Sequence, residues 1–196
     1  MALRPEQLAE LAGDKALAPV YLIAGPERLR VLEAADGVRQ AARQQGVAER
    51  EVYQADGRDF DWSQLSAGFN APSLFSPRRL VELRLPSGKP GKEGSEVLRA
   101  FCEQPADDVV LMITAEEWSR AHQQGKWFEA VARIGVVSVA WAIKPHELPE
   151  WIERRLRGHG LRAERDAVML LAERVEGNLL AAAQEIDKLA LLAEGK

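Results

Sequence analysis

The stretch "DDVVLMIT" (residues 107–114) sets five apolar residues in a row behind two aspartates. A run with no polar alternation predicts a strand buried on both faces, at the centre of a parallel sheet. On either side, "SEVLRAFCEQ" (95–104) and "QGKWFEAVARI" (124–134) read as helices, and beyond them "RRLVELRL" (78–85) and "GVVSVAWA" (135–142) as strands. Further out, "APVYLIAG" (18–25) is another buried strand ended by a glycine. It leads into "PERLRVLEAADGVRQAARQQG" (26–46), where Leu29, Leu32, Ala35, Val38 and Ala42 recur near helical spacing and Gly46 closes the helix. "REVYQAD" (50–56) is a short alternating strand and "WSQLSAGF" (62–69) a short helix, while the prolines and glycines of "PSGKPGKEG" (86–94) predict a loop. Five strands alternating with helices predict βαβ units: a mostly parallel five-stranded sheet with helices on both faces.

After Ile143 the pattern changes. "KPHELPEWIERRLRGHG" (144–160) opens on prolines suited to a first helical turn. "RAERDAVMLLAERVEG" (162–177) puts Val168, Leu171, Ala172 and Val175 on one face; Gly177 suits the left-handed position after a helix, and Asn178 suits the cap of the next. In that last helix Leu179, Ala182, Ile186, Leu189 and Ala193 form one stripe. The reading is an α/β domain over residues 1–143 and a small three-helix domain over 144–196. The opening residues, 1–20, read as a short amphipathic helix without the apolar core of a signal peptide.

The 196 residues are 46% hydrophobic and 29% charged, as in ordinary globular chains, and the net charge is −4. Nucleic-acid contact in an acidic chain has to be local. Cys102 is the single cysteine, and His122, His146 and His159 lack partners at ligand spacing, so no metal site is expected. No run of 18 apolar residues occurs, which favours a cytoplasmic protein with no membrane contact.

An α/β domain followed by helices invites a test for nucleotide chemistry. A phosphate loop after the first strand needs glycines, a lysine and a Ser or Thr. "GPERLRVLE" (25–33) has Gly25 but no second glycine at the spacing and no Lys-Ser or Lys-Thr pair, while "SGKPG" (87–91) follows the wrong strand and carries Pro90 at the hydroxyl position. Glu116 and Glu117 follow the fourth strand and read as a solvated helix start. Ser119 and His122 read as a surface pair without a third group. Arg78 and Arg79 are either phosphate contacts or charges that flank a strand and discourage edge pairing. Arg154, Arg155 and Arg157 form a basic helical patch, a candidate DNA contact whose plain alternative is a solvated face.

"NAPSLFSPRRL" (70–80) places Leu74 and Phe75 between serines, with a proline beyond each. The residues leave two readings open: the pair plugs the protein's own core, within a scaffold or DNA-binding module, or it stands out as a docking point. Pro72 and Pro77 would stiffen such a presentation.

"VYLIAGPERLRVLEAADGVR" (20–39), "SLFSPRRLVELRLPSGKPG" (73–91) and "EGNLLAAAQEIDKLALL" (176–192) together resemble the delta subunit of bacterial DNA polymerase III, part of the sliding-clamp loader, and the resemblance runs along the whole chain. It implies an AAA+-like, P-loop-type α/β domain without a functional P-loop, a helical lid, and a C-terminal collar domain that this chain lacks. No catalytic residue, cofactor or metal is implied. The family's delta subunit neither binds nor hydrolyses ATP, and a DNA-directed DNA polymerase (nucleotidyltransferase) label would come only from membership of the holoenzyme. The Ser-Arg-Cys finger of ATPase relatives is also missing, since Ser119 and Arg120 are followed by no cysteine. The implied partners are the beta sliding clamp, the other loader subunits (delta-prime and gamma/tau) and primer-template DNA through the assembled complex. In the family a Ser-Leu-Phe motif presses its apolar pair into a pocket on the clamp and helps the ring to open. The matching residues are Ser73, Leu74 and Phe75. Pro72 stands where the family can carry a longer apolar side chain, a departure that makes the anchor smaller.

Overall fold

Residues Val109–Ala115 form the middle strand of a five-stranded parallel sheet in this computed structural model, which describes residues 1–11, 16–57, 59–71 and 78–194. The chain divides into two compact units, Met1–Trp141 and Ala142–Lys196, the division falling two residues before the boundary expected after Ile143. The first unit runs α1 (Pro5–Ala9), β1 (Val20–Ala24), α2 (Arg28–Gln44), β2 (Glu49–Gln54), α3 (Trp62–Asn70), β3 (Arg79–Arg84), α4 (Gly91–Glu103), β4 (Val109–Ala115), α5 (Lys126–Ile134) and β5 (Val136–Val139). The strand order is β2–β3–β4–β1–β5 with every pairing parallel. The apolar runs of β1, β3 and β4 therefore lie inside, where both faces need apolar side chains.

Alternate strand residues feed two cores. Leu22, Val81, Leu83, Leu111 and Ile113 pack with Trp62, Leu65 and Phe69 of α3, Leu98 and Phe101 of α4, and Trp127 and Val131 of α5. Tyr21, Ile23, Leu80, Val110 and Met112 pack with Leu8 of α1 and with Val31, Ala34, Val38 and Ala41 of α2.

Three local expectations change. Among the described opening residues the helix covers Pro5–Ala9, and before it Ala2 pairs with Val137 as an extension of the sheet. Helix α4 begins at Gly91, inside the segment read as a loop over 86–94. Gly94 belongs to that helix because a β-carbon there would lie 2.4 Å from the Trp62 ring; the glycine admits a close approach rather than a turn. Arg78 and Arg79 do not flank an edge, since β3 lies between β2 and β4.

β3 carries two buried charges, one on each face. Arg79 is 1% exposed on the α3 side, and its Nη1 donates to Glu51 Oε1 at 2.9 Å. Glu82, also 1% exposed, lies on the α2 side. It accepts from Arg39 Nε and Nη2 at 2.7 and 2.9 Å and from Arg50 Nε and Nη2 at 2.6 and 2.9 Å. The edge strand β2 thus supplies Glu51 to one face and Arg50 to the other, in the register Arg50 opposite Leu80 and Glu51 opposite Val81. A slip of one residue would turn Arg50 toward Arg79 and Glu51 toward Glu82. With only half-buried or exposed side chains on β2, charge rather than apolar burial selects its register.

The second unit has α6 (Leu148–Gly158), α7 (Arg165–Val175) and α8 (Leu179–Glu194). Leu148, Trp151, Ile152, Leu156, Val168, Val175, Leu179, Ala182 and Ile186 form its interior. Gly177 has the left-handed φ (82°) expected of it, and Asn178 Oδ1 accepts from Ala181 N at 3.0 Å. Leu189, expected on the core stripe, is 47% exposed: α8 has 16 residues against 11 in each of the other two helices, and its last turns outrun them.

Burial alone would raise the Glu82 carboxyl, but the hydrogen bonds from Arg39 and Arg50 outweigh it and hold the pKa below the usual carboxylate range. A depressed folded pKa contributes stability that is present at neutral pH and lost as pH falls through that value. Glu82→Gln leaves the half-buried Arg39 and the exposed Arg50 facing a buried neutral amide, with water still able to reach Arg50, and is expected to cost about 2 kcal/mol at pH 7. Thermal melts across pH should show the gap from wild type largest at neutral pH and closing below roughly pH 4.

Candidate functional site

Pro72, Ser73, Leu74 and Phe75 lie outside the described residues. The structure describes the frame on either side of them, helix α3 before and strand β3 after. Asp61 caps α3, its Oδ1 accepting from Ser63 N at 2.9 Å and Gln64 N at 3.4 Å. The Ser63 hydroxyl bond and these backbone donors hold its carboxyl below the usual range. Trp62, Leu65 and Phe69 fix the inner face of α3, and the Phe69 ring meets Phe101 of α4 with centroids 4.4 Å apart.

At the far end, Arg79 Nη2 donates to the Phe69 carbonyl at 3.1 Å. Carbonyls in a last helical turn have no partner within the helix, and a cation there also suits the helix dipole. The same guanidinium pairs with Glu51 and approaches Asp108 at 3.6 Å through Nε, while the Arg79 amide donates to Asp108 O at 2.8 Å. One buried residue of β3 therefore ties the end of α3 to the start of β3, and both ends of the segment 72–77 spring from fixed points. Arg79 is not available to a phosphate.

The three arginines of α6 do not form one patch. Arg154 is exposed, 3.8 Å from Glu150 on the same helix, and Arg157 is exposed. Arg155 points elsewhere: its guanidinium lies 5.4 Å from the centre of the Trp151 ring and 4.0 Å from Asp187 of α8, which also contacts His159 at 3.2 Å. Residues one and two positions apart on a helix do not share a face, which separates Arg155 from Arg154 and Arg157.

The turn from β1 into α2, where a phosphate loop would lie, is closed by the protein itself. Gly25 N donates to Ala115 O at 3.0 Å and Glu27 N to Ala140 O at 3.2 Å, so two amides that could face a phosphate are already bonded to carbonyls. Glu27 sits at the N-cap of α2, with its pKa raised by burial.

Ser119 and His122 do meet. Ser119 N and Oγ lie 3.0 and 2.9 Å from His122 Nδ1, Nε2 lies 3.2 Å from Ser87 O, and the ring stacks on Trp118. An amide donor makes Nδ1 the acceptor and leaves the proton on Nε2, bound to a carbonyl rather than a carboxylate. The pair clips a 3-10 turn (Arg120–Gln124) to the loop after β3 and has no acid behind it. Glu116 and Glu117 are exposed, and their amides donate to Pro86 O at 3.2 and 2.8 Å. Among the described residues no cluster of His, Cys, Asp or Glu is suited to hold a metal ion. Burial pushes the Cys102 thiol up to about 11, far from thiolate chemistry at neutral pH. No helix among them is long and apolar enough to cross a membrane.

The fold is that of an AAA+-like α/β protein: a RuvB mutant of Thermotoga maritima superposes with a TM-score of 0.53 at 16% identity, covering 93% of this chain and 60% of that one. A sequence model of the family "DNA polymerase III, delta subunit" matches residues 21–139, and the chain belongs to that family. It is 33% identical over 191 residues to DNA polymerase III subunit delta of Escherichia coli K12, covering 97% of this chain and 55% of the relative. The chain thus spans about half the length of that protein. The Bacillus subtilis DNA clamp loader delta protein (YqeN) has a similar fold, with a TM-score of 0.73 at 21% identity over 96% of this chain and 56% of that one.

Arg79→Met removes the buried cation that Glu51, Asp108 and the Phe69 carbonyl share, and is expected to lower stability by about 3 kcal/mol. In a domain of this size that is a fall in Tm on the order of 10 °C. Because an apolar pair of similar volume can replace a buried ion pair, the double variant Glu51→Met, Arg79→Met should recover more than half of the loss in thermal melts.

Proposed function

We propose that this chain is a non-catalytic part of a clamp loader that grips the beta sliding clamp through Leu74 and Phe75. The observation that carries the reading is the place of the Ser73-Leu74-Phe75 motif in a member of the delta family, on a segment whose two ends are joined through Arg79. A short tether at the base restricts the orientations open to the segment, so docking costs less conformational entropy. Burying one leucine and one phenylalanine contributes roughly 3–6 kcal/mol, the scale of an interface hot spot. Ser73 and Pro72 complete the presenting segment.

The grip acts by population shift. A surface that binds a strained ring face better than the relaxed one favours the opened ring without chemistry of its own. The bonded amides of the β1–α2 turn support a subunit that hydrolyses no triphosphate, and any nucleotidyltransferase label belongs to the polymerase assembly. Delta-prime, gamma/tau and primer-template DNA are the further partners in this reading.

The test is calorimetric titration of the chain with its cognate clamp. The variant Leu74→Ala, Phe75→Ala is expected to bind at least 100-fold more weakly, since about 3 kcal/mol corresponds to two decades in affinity. Unchanged affinity would overturn the reading. A loss of affinity accompanied by a fall in Tm of 5 °C or more would instead place the pair in the protein's own core.

A further inference from the structure

The α2 side of the sheet is only partly covered. α2 packs on β1 and β4, and Val52 of the edge strand β2 is left 44% exposed. Between α2 and the outer strands lies a cleft of about 440 Å³ whose lining includes Arg28, Arg39, Arg43, Arg50 and Arg84. Five guanidiniums in one cleft stand out in a chain with a net charge of −4.

The charges are organised in two sets. Arg39 and Arg50 are held rigidly by the single buried carboxylate Glu82, so the base of the cleft carries two cations on one anion. Asp36, 71% exposed, pairs with Arg39 from the rim, where water screens it. Arg28, Arg43 and Arg84 form the second set: all three are exposed, and their guanidiniums make no hydrogen bond or ion pair with a described residue. Glu116 is the other acid in the lining. The cleft therefore holds more positive charge than its own acids match, on guanidiniums that suit two-pronged contact with phosphate oxygens.

Their layout is linear. Arg28, Arg39 and Arg43 lie 11 and 15 residues apart, close to three and four turns, and so share one stripe of α2 roughly 22 Å long. Arg84, at the end of β3, faces them from the other wall. A single phosphate would span a small part of that length, whereas a nucleic-acid strand sets one phosphate per about 3.4 Å and reaches from end to end. In a DNA polymerase III subunit family, nucleic acid is the polyanion at hand.

We propose that this arginine-lined cleft binds the phosphodiester backbone of DNA, independently of base sequence and of the Leu74–Phe75 segment. The site is local, which reconciles it with an acidic chain.

Fluorescence anisotropy of the 196-residue chain with labelled oligothymidylate, and in a second arm with a labelled duplex, tests this. Arg28→Gln, Arg43→Gln, Arg84→Gln together should weaken binding at least tenfold and reduce the log–log salt slope by about two. The corresponding triple lysine variant should keep the salt slope, and Arg154→Gln with Arg157→Gln should leave affinity within twofold. All three substituted side chains in the cleft are exposed, so circular dichroism spectra should match wild type. No binding by the wild-type chain, equal binding by the glutamine triple, or equal competition by polyglutamate at matched charge would each overturn the proposal, the last by making the cleft a surface for acidic protein.

Discussion

Strand β3 can stay inside the sheet only because each of its buried charges meets an opposite charge. Arg79 finds Glu51 and Asp108 on one face, and Glu82 finds Arg39 and Arg50 on the other. Burying such groups unpaired would cost several kcal/mol each, so the partners are obligatory. Because β2 provides a partner to both faces, its register follows from electrostatics. The same two charges frame the two surfaces to which functions are proposed: Arg79 ties the end of α3 to the start of β3, and Glu82 arranges the floor of the arginine cleft.

The molecule keeps the architecture of a nucleotide-binding α/β domain while filling the place where phosphate would lie. Its first βα turn spends its amides on Ala115 and Ala140, and its Ser119–His122 pair serves as a clip. Such a scaffold retains what a rigid parallel sheet offers, fixed positions at strand ends and in the loops beside them, and in the proposed reading these serve contact with a partner.

Much of this was legible in the sequence for a simple reason. Continuous apolar runs such as Val109–Ile113 and alanine-rich helical stripes such as Ala34–Ala42 report burial directly, and burial marks the inner strands and the faces that make the two cores. Ion pairs leave no such trace. Arg79 read as a phosphate contact or a strand-flanking charge, and Glu82 drew no reading, because their partners lie 28 to 43 residues away. Spacing along α6 likewise grouped Arg155 with Arg154 and Arg157, although a tryptophan and an aspartate draw it to another face. Gly94 read as a turn signal because its neighbour Trp62 comes from a distant helix. The arginine cleft escaped notice because its five residues come from three separate segments. The Leu74–Phe75 motif shows the complementary limit: a family pattern identifies it, while its own residues permit either burial or docking.

The strand order has a consequence for biosynthesis. Of the described strands β1 is synthesised first, yet it pairs with β4 and β5, whose residues lie about 90 and 115 positions further on. Until those segments emerge, the apolar run Val20–Ala24 has no sheet to join, and every parallel crossover defers closure further. The nascent chain therefore passes through a long interval with this apolar segment uncovered, a window in which a holding chaperone would shelter it from aggregation.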